Sequence, residues 1–251
     1  MTQLLSALSA WENFYRAFIF QDRYKLYFQG LGNTLLIAAG ASVIGVAVGI
    51  LFAAIIYIRK KTGKLKVLSG VCNFYITVVR GTPVVLQLFL MYFVVMSAVD
   101  SGIIIGAVTF GLNSGAYVAE IIRAGLESID EGQMEAGRSL GLTMGQTMIR
   151  VIIPQAVRNV LPPLFSEFIT LVKETAVVGY VGIMDLGKIP GLIQSRTFEY
   201  LFPLMIAAVL YLAVVMILTL ILKMLEKYFS KSDRNSGVKI QVRGRKSGVT
   251  K

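Results

Sequence analysis

An all-α, polytopic membrane protein with five transmembrane helices and one long polar loop is the fold class this sequence predicts. Three observations predict it. The 251 residues are 55% hydrophobic and 16% charged, with a mean hydropathy of +0.70; soluble domains carry about a quarter charged residues. The apolar residues gather in runs long enough to cross a ~30 Å hydrocarbon core at 1.5 Å per residue. Between those runs lies a polar stretch, Glu127 to Pro154, reading ESIDEGQMEAGRSLGLTMGQTMIRVIIP. In lipid each backbone N–H and C=O must find a partner within the protein, so single apolar runs fold as helices.

The chain begins without a basic region, a clean apolar core or an A-x-A site, so no cleavable signal peptide is expected. Leu4, Leu5, Leu8, Trp11, Tyr15 and Phe18 fall near helical spacing, and aromatics are dense through Phe28. Residues 1–30 read as a segment lying in the headgroup layer, or as a short helix packed on the outer face of the domain. Leu35 to Ile58 is free of charge and forms the first span. Its Gly45-x-x-x-Gly49 lets a second helix approach closely, unless the glycines face lipid. Arg59, Lys60, Lys61, Lys64 and Lys66 end it without an intervening acid.

Val67 to Val79 is amphipathic and is broken by Arg80-Gly81-Thr82-Pro83. Pro83 suits the first turn of a new helix, and Val84 to Val99 reads as the second span. Asp100 marks a short external turn. Ser101 to Ala119 is the third span, with Asn113 about 18 Å in and so near mid-membrane. Glu120 and Arg123 then reach the inner interface at pairing distance along the helix. In the polar stretch, Ser128 to Glu131 and Thr143 to Gln146 both have the spacing of a capping box. Two short helices hinged at Gly141 follow from that.

The fourth span runs from near Arg158 to about Met184, interrupted at Pro162 and Pro163. It carries Glu167 about 14 Å from Arg158 and Lys173 about 22 Å from it. Thr170 and Glu174 share the face of Glu167, while Lys173 is turned about 120° away. Ionisable groups at such depth are costly unless they serve a pathway or a partner; the alternative is a buried ion pair of Lys173 with Glu167 or Glu174 that only joins helices. Asp185 to Glu199 reads as an external loop and Tyr200 to Leu222 as the fifth span. Residues 31–229 form the membrane domain, and residues 230–251 a basic tail expected to be disordered.

With the 59–66 cluster inside, the N-terminus lies outside and the C-terminus in the cytoplasm. Lys and Arg then divide 19 inside to 5 outside, with Lys173 in the span. That bias obeys the positive-inside rule and accounts for the net charge of +11 without nucleic acid. The chain has no His and a single cysteine, Cys72, which excludes histidine bases, an internal disulfide and multi-thiolate metal sites. It has no complete Gly-x-x-x-x-Gly-Lys-Ser/Thr phosphate loop, because the one stretch with the glycine and lysine spacing, Gly182 to Lys188, is followed by Ile189, and so cannot hydrolyse ATP by that route.

Glu135, Ala136, Gly137, Gly141, Val151, Ile153 and Pro154 match, interval by interval, the loop by which importer permeases of the ATP-binding cassette (ABC) class dock on their ATPase. That family usually has Ala at Gly137, Ile at Val151 and Leu at Ile153. The segment Glu135, Ala136, Gly137, Arg138, Ser139, Leu140, Gly141 is thus the candidate coupling helix and hinge. The RGTP run with Gln87, the stretch GAYVAEIIRAGL from Gly115, and FITLVKET with Lys173, Glu174 and Thr175 resemble the polar amino-acid branch. The likeness spans most of the chain apart from the first 30 residues and the tail.

The resemblance implies a second permease copy or a paralogue, two ATP-binding subunits, and an extracellular amino-acid-binding protein. It implies ATP and Mg on the partner ATPase and no cofactor on this chain. In the lever it suggests, Gly141 supplies a turn and close backbone approach. An amino-acid zwitterion crossing the membrane needs an anion for its ammonium and donors for its carboxylate. Glu167 is the candidate anion, with Ser166, Thr170, Asn113, Ser114 and Lys173 beside it on the pathway. The competing reading is a secondary transporter or ion channel in which Glu167, Lys173 and Glu174 relay ions without an ATPase. An intramembrane enzyme has no support, because no nucleophile stands beside a base.

Overall fold

The computed structural model describes residues 9–236; Leu4, Leu5, Leu8 and most of the basic tail fall outside that range. The described residues form helices and turns without strands.

Helix α1 (Arg23–Thr62) is 40 residues long, about 60 Å and so twice the hydrocarbon thickness. It starts well before Leu35, where the uncharged run begins. Its origin is a turn in which Gln21 and Asp22 both have positive φ, 54° and 57°. Ahead of that turn the chain from Ser9 is helical and passes through a wide turn at Tyr15–Ile19. Phe14 and Phe18 stack toward Phe202 and Tyr27 (ring centroids 6.4 and 5.8 Å apart), so the N-terminal segment is packed on α1 and the last helix. Trp11 and Phe28 stay exposed. Gly63, at φ 71°, ends α1 just past its basic last turn.

Helix α2 (Lys66–Gly81) and helix α3 (Val84–Leu90), extended by a π turn at Met91–Val95, meet at 108°. Thr82 and Pro83 are extended between them. The helical stretch ends at Val95, so the second span predicted over Val84–Val99 is only about 18 Å long and crosses a bilayer only in combination with α2. The arms of the bend pack on α4 (Gly102–Glu127), which Ser101 caps by accepting from the Ile104 N–H.

The Gly45 and Gly49 pair faces α4, not lipid. A Cβ at Gly45 would stand 3.1 Å from the Ser114 side chain, and one at Gly49 2.6 Å from Val118 Cβ. On α4, Gly111 and Gly115 return the fit, meeting Ile44 and Val48 at 2.6 and 2.7 Å. Small residues on both helices let the two backbones close up. Around this seam Ile37, Ala41, Phe110, Leu171, Val172 and Val178 form the main core.

Helices α5 (Glu131–Ser139) and α6 (Met144–Thr147) form the polar loop. The chain then turns through Met148–Ile152 directly into α7 (Ile153–Glu174). Pro162 and Pro163 do not interrupt α7, contrary to the sequence expectation. In a packed membrane helix, neighbours and local adjustment can satisfy the carbonyls that proline frees. The helix also starts earlier than Arg158 and ends at Glu174, followed by a tight turn at Thr175–Val181 that Gly182 closes at φ 82°.

The segment read as an external loop holds α8 (Ile189–Thr197), with Ile189, Pro190 and Ile193 buried. It is pinned to α1. Thr34 Oγ1 accepts from the Leu186 N–H (3.1 Å), and Asn33 donates to the Met184 carbonyl (2.7 Å). Asp185, fully buried, accepts from the N–H groups of Gly187 and Lys188. It also accepts from Tyr211 Oη on α9 (Leu201–Ser236). Among the described residues three helical stretches are long and apolar enough to cross a membrane, Ser9–Thr62, Gly102–Glu127 and Leu201–Lys227; the bent α2–α3 pair makes up to four. Helix α7 has the length of a fifth but carries prolines and charges, so the sequence count of five is not reproduced by length and composition.

Candidate functional site

Local chemistry builds the polar loop. The first cap is Asp130, whose carboxylate accepts from the Gly132 N–H at 2.7 Å. Ser128, the expected cap, instead sits at the C-terminus of α4, donating to the Gly125 carbonyl and accepting from Asn159. The second cap is as the spacing predicts: Thr143 Oγ1 accepts from the Gln146 N–H and Gln146 Oε1 from the Thr143 N–H. Helix α5 ends with the Leu142 N–H on the Gly137 carbonyl and the Gly141 N–H on the Arg138 carbonyl. That is the Schellman arrangement, which needs a left-handed residue at Gly141 (φ 83°).

Gly141 therefore supplies the turn, but nothing in the chain lies within 4 Å of where its Cβ would stand. The close approach expected there occurs at Gly137, whose Cβ would overlap the Thr147 methyl and stand 2.8 Å from Thr147 Oγ1. Thr147 is fully buried, so α5 and α6 are locked face to face. Their outer surface is open. Glu135, Ala136, Arg138 and Ser139 are exposed, and so are the apolar Leu140 (83%) and Ile149 (68%). A rigid unit presenting exposed apolar and charged side chains suits docking to a second protein.

A chain of ion pairs lies between the loop and the membrane. Glu120 pairs with Arg123 (2.7 Å) as its spacing predicts, and with Arg80 of α2 (3.6 Å). Arg123 pairs with Glu127 (2.8 Å), which also holds Lys60 of α1 (2.9 Å). The ends of α1, α2 and α4 are thereby linked at one surface. Each pair is at least partly exposed, so its worth is about 1 kcal/mol at most.

Farther from the loop, the middle of α4 holds polar side chains singled out from the sequence. Ser114 Oγ donates to Glu167 Oε1 of α7 at 2.8 Å, and Asn113 Nδ2 donates to Gln87 Oε1 of α3 at 3.0 Å. Thr170 is half-buried on α7. Ser166 and Lys173 are exposed and do not join this group, and among the described residues Lys173 forms no ion pair with Glu167 or Glu174. Measured from the true start of α7 at Ile153, Glu167 lies about 21 Å along the helix, farther from the loop than expected.

Gln87 is the residue that sequence reasoning placed only at the helix break. Its amide donates to the Val79 carbonyl (2.9 Å) and to Thr82 Oγ1 (2.8 Å), clamping the α2–α3 bend while its oxygen reaches Asn113. A glutamine inside an otherwise apolar run was the available signal. Among the described residues no three His, Cys, Asp or Glu side chains are grouped to hold a metal ion.

Residues 45–231 match the family described as binding-protein-dependent transport system inner membrane component. The chain belongs to that family. It is 37% identical over 211 residues to a protein described as the glutamine transport system permease GlnP of Rickettsia typhi, covering 83% of this chain and 94% of that one. It is 38% identical over 208 residues to the arginine transport system permease protein ArtQ of Bacillus subtilis, covering 82% and 93%. A crystal structure of an amino acid ABC transporter with histidines aligns at a TM-score of 0.76 with 39% identity, over 82% of this chain and 94% of that one. The inward facing MetNI methionine ABC transporter aligns at 0.70 with 20% identity, over 83% and 98%; at that identity the likeness is one of fold. The chain is thus a multi-pass membrane permease of the ABC transporter class.

Proposed function

We propose that this permease carries polar amino acids inward, driven by a separate ATPase that docks on the loop from Glu135 to Gly141. The observation that carries this reading is the loop itself: a capped, face-locked helix pair with Arg138, Ser139 and Leu140 open to a partner. Two ATP-binding subunits holding ATP and Mg, a second permease copy or paralogue, and an extracellular amino-acid-binding protein complete the machine. The loop and C-terminus face the cytoplasm and the N-terminus the exterior, in line with the 19 to 5 division of basic residues. ATPase closure moves α5 and α6 as one body, and α7, which continues from α6 through a helical turn, carries the movement toward Glu167.

At mid-membrane Glu167 takes the ammonium of the zwitterion, and the hydroxyl of Ser114 and the amide of Asn113 serve its neutral surroundings. Ser166, Thr170 and Lys173 complete the pathway as the spans tilt. The names of the relatives, glutamine and arginine permeases, support an amino-acid cargo with a polar side chain.

Uptake of labelled amino acids by proteoliposomes holding the permease, its ATPase and its binding protein tests both halves. Gly141→Leu, strained at positive φ, is expected to leave the protein inserted but abolish uptake. Glu167→Ala is expected to abolish uptake or change which amino acid competes best. Normal, ATP-independent uptake in the first variant would overturn the lever and favour a secondary transporter. Unchanged selectivity and rate in the second would move the substrate site to the binding protein.

A further inference from the structure

Two adjoining hollows on the loop side of the molecule remain unused by the transport reading. One is a groove of about 370 Å³ between α1, α4 and α7, lined only by apolar side chains apart from Tyr57. On α1 it runs from Val46 to Ile58, about 18 Å, slightly more than half a hydrocarbon core of ~30 Å. It opens outward, because Ile50, Ile58, Val157 and Leu161 on its walls are each at least 40% exposed. The second hollow is a charged cleft of about 490 Å³ under α5, and Tyr57 and Leu126 line both, so the two adjoin.

The charges of the cleft fall into two sets. Lys60, Arg123 and Glu127 are engaged with one another, and Asp130 is occupied in capping α5. That leaves Lys61 on the α1 wall and Glu131 and Glu135 on the α5 wall, none with an ion pair among the described residues, although Glu131 is near enough to Lys60 to favour its charge. A cation on one wall, acids on the other and an acyl-sized apolar groove leading away match a single type of molecule.

We propose that this is a binding site for an aminophospholipid of the ethanolamine class. One acyl chain lies in the groove, the phosphate faces Lys61, and the primary ammonium faces Glu131. A choline headgroup has no N–H to donate to the carboxylate, and a glycerol headgroup places no cation there. The site requires only that the chain sit in a membrane, so it stands or falls separately from the transport reading.

The test is native mass spectrometry of the purified full chain, delipidated in detergent and offered equimolar ethanolamine, choline and glycerol phospholipids with identical chains. The ethanolamine lipid is expected to be retained about two- to fivefold over the choline lipid, the range of an exposed charge pair. Glu131→Gln should reduce it to the choline level, and Lys61→Gln should weaken all three. Ile50→Trp, at an exposed groove position, should displace all three without altering thermal unfolding. Equal retention of ethanolamine and choline lipids, or preference for the glycerol lipid, overturns the headgroup assignment. Retention unchanged by Ile50→Trp, or loss of a second protein copy instead of lipid in that variant, overturns the groove.

Discussion

The loop around Gly141 and the polar contacts at the middle of α4 both depend on side-chain hydrogen bonds, but at different reach. In the loop the partners are two or three residues apart, as in Asp130 to Gly132 and Thr143 to Gln146. At the middle of α4 they are 26 and 53 residues apart, Asn113 to Gln87 and Ser114 to Glu167. The first kind of bond forms wherever the local sequence permits it. The second forms only once α3, α4 and α7 have packed against one another. The caps of the loop are therefore set locally, whereas the polar group at the middle of α4 is a property of the assembled bundle.

That contrast can be broken at three points. The largest effect is expected from Gly49→Ile, which forces Cβ and more into Val118; thermal unfolding in detergent should show a loss of about 3 kcal/mol, the upper end of overpacking. Gly70→Ala, where a Cβ meets nothing within 4 Å, should change little in the same measurement. Next comes Gly137→Val, expected to separate α5 from α6 at a cost of about 2 kcal/mol, read as faster amide exchange confined to 131–152. Thr147→Ala in the same chain removes the overlapping methyl and should restore slow exchange; failure to restore it would mean that the two helices are not locked through this contact. The smallest effect is the coupling between Gln87→Ala and Asn113→Ala in a double-mutant cycle, about 0.6 kcal/mol for hydrogen bonds between membrane helices. A coupling of zero would detach the α2–α3 bend from the mid-membrane group.

Much of the architecture was legible because helix formation in lipid is decided by apolar length. The spans at α1, α4 and α9 follow from their runs, and the break at Arg80–Pro83 from its glycine and proline. The second capping box and the Glu120–Arg123 pair follow from spacing alone. The misreadings share a cause: each needed a neighbour. Ser128 has the spacing of a cap, but Asn159 of α7 engages its hydroxyl and Asp130 takes the position. Pro162 and Pro163 signal a break that packing within the bundle overrides. Asp185 to Glu199 has loop composition, yet Thr34 and Tyr211 hold it as buried structure. The Val84–Val99 run is apolar enough to span, but it is helical only to Val95 and depends on the arm before it.

By itself the sequence determined that this chain lives in a membrane, where its polar loop begins and ends, and that Gly141 turns it, because these depend on hydropathy and on bonds between near neighbours. The tertiary structure alone decided that Gly137 and not Gly141 sets the close approach of the two loop helices. It alone decided that Gln87 ties the bent helix to Asn113, and that Glu167 meets Ser114 while Lys173 and Ser166 stand apart. Those outcomes turn on which helix faces lie against one another, and side chains far apart along the chain find their partners only through that packing.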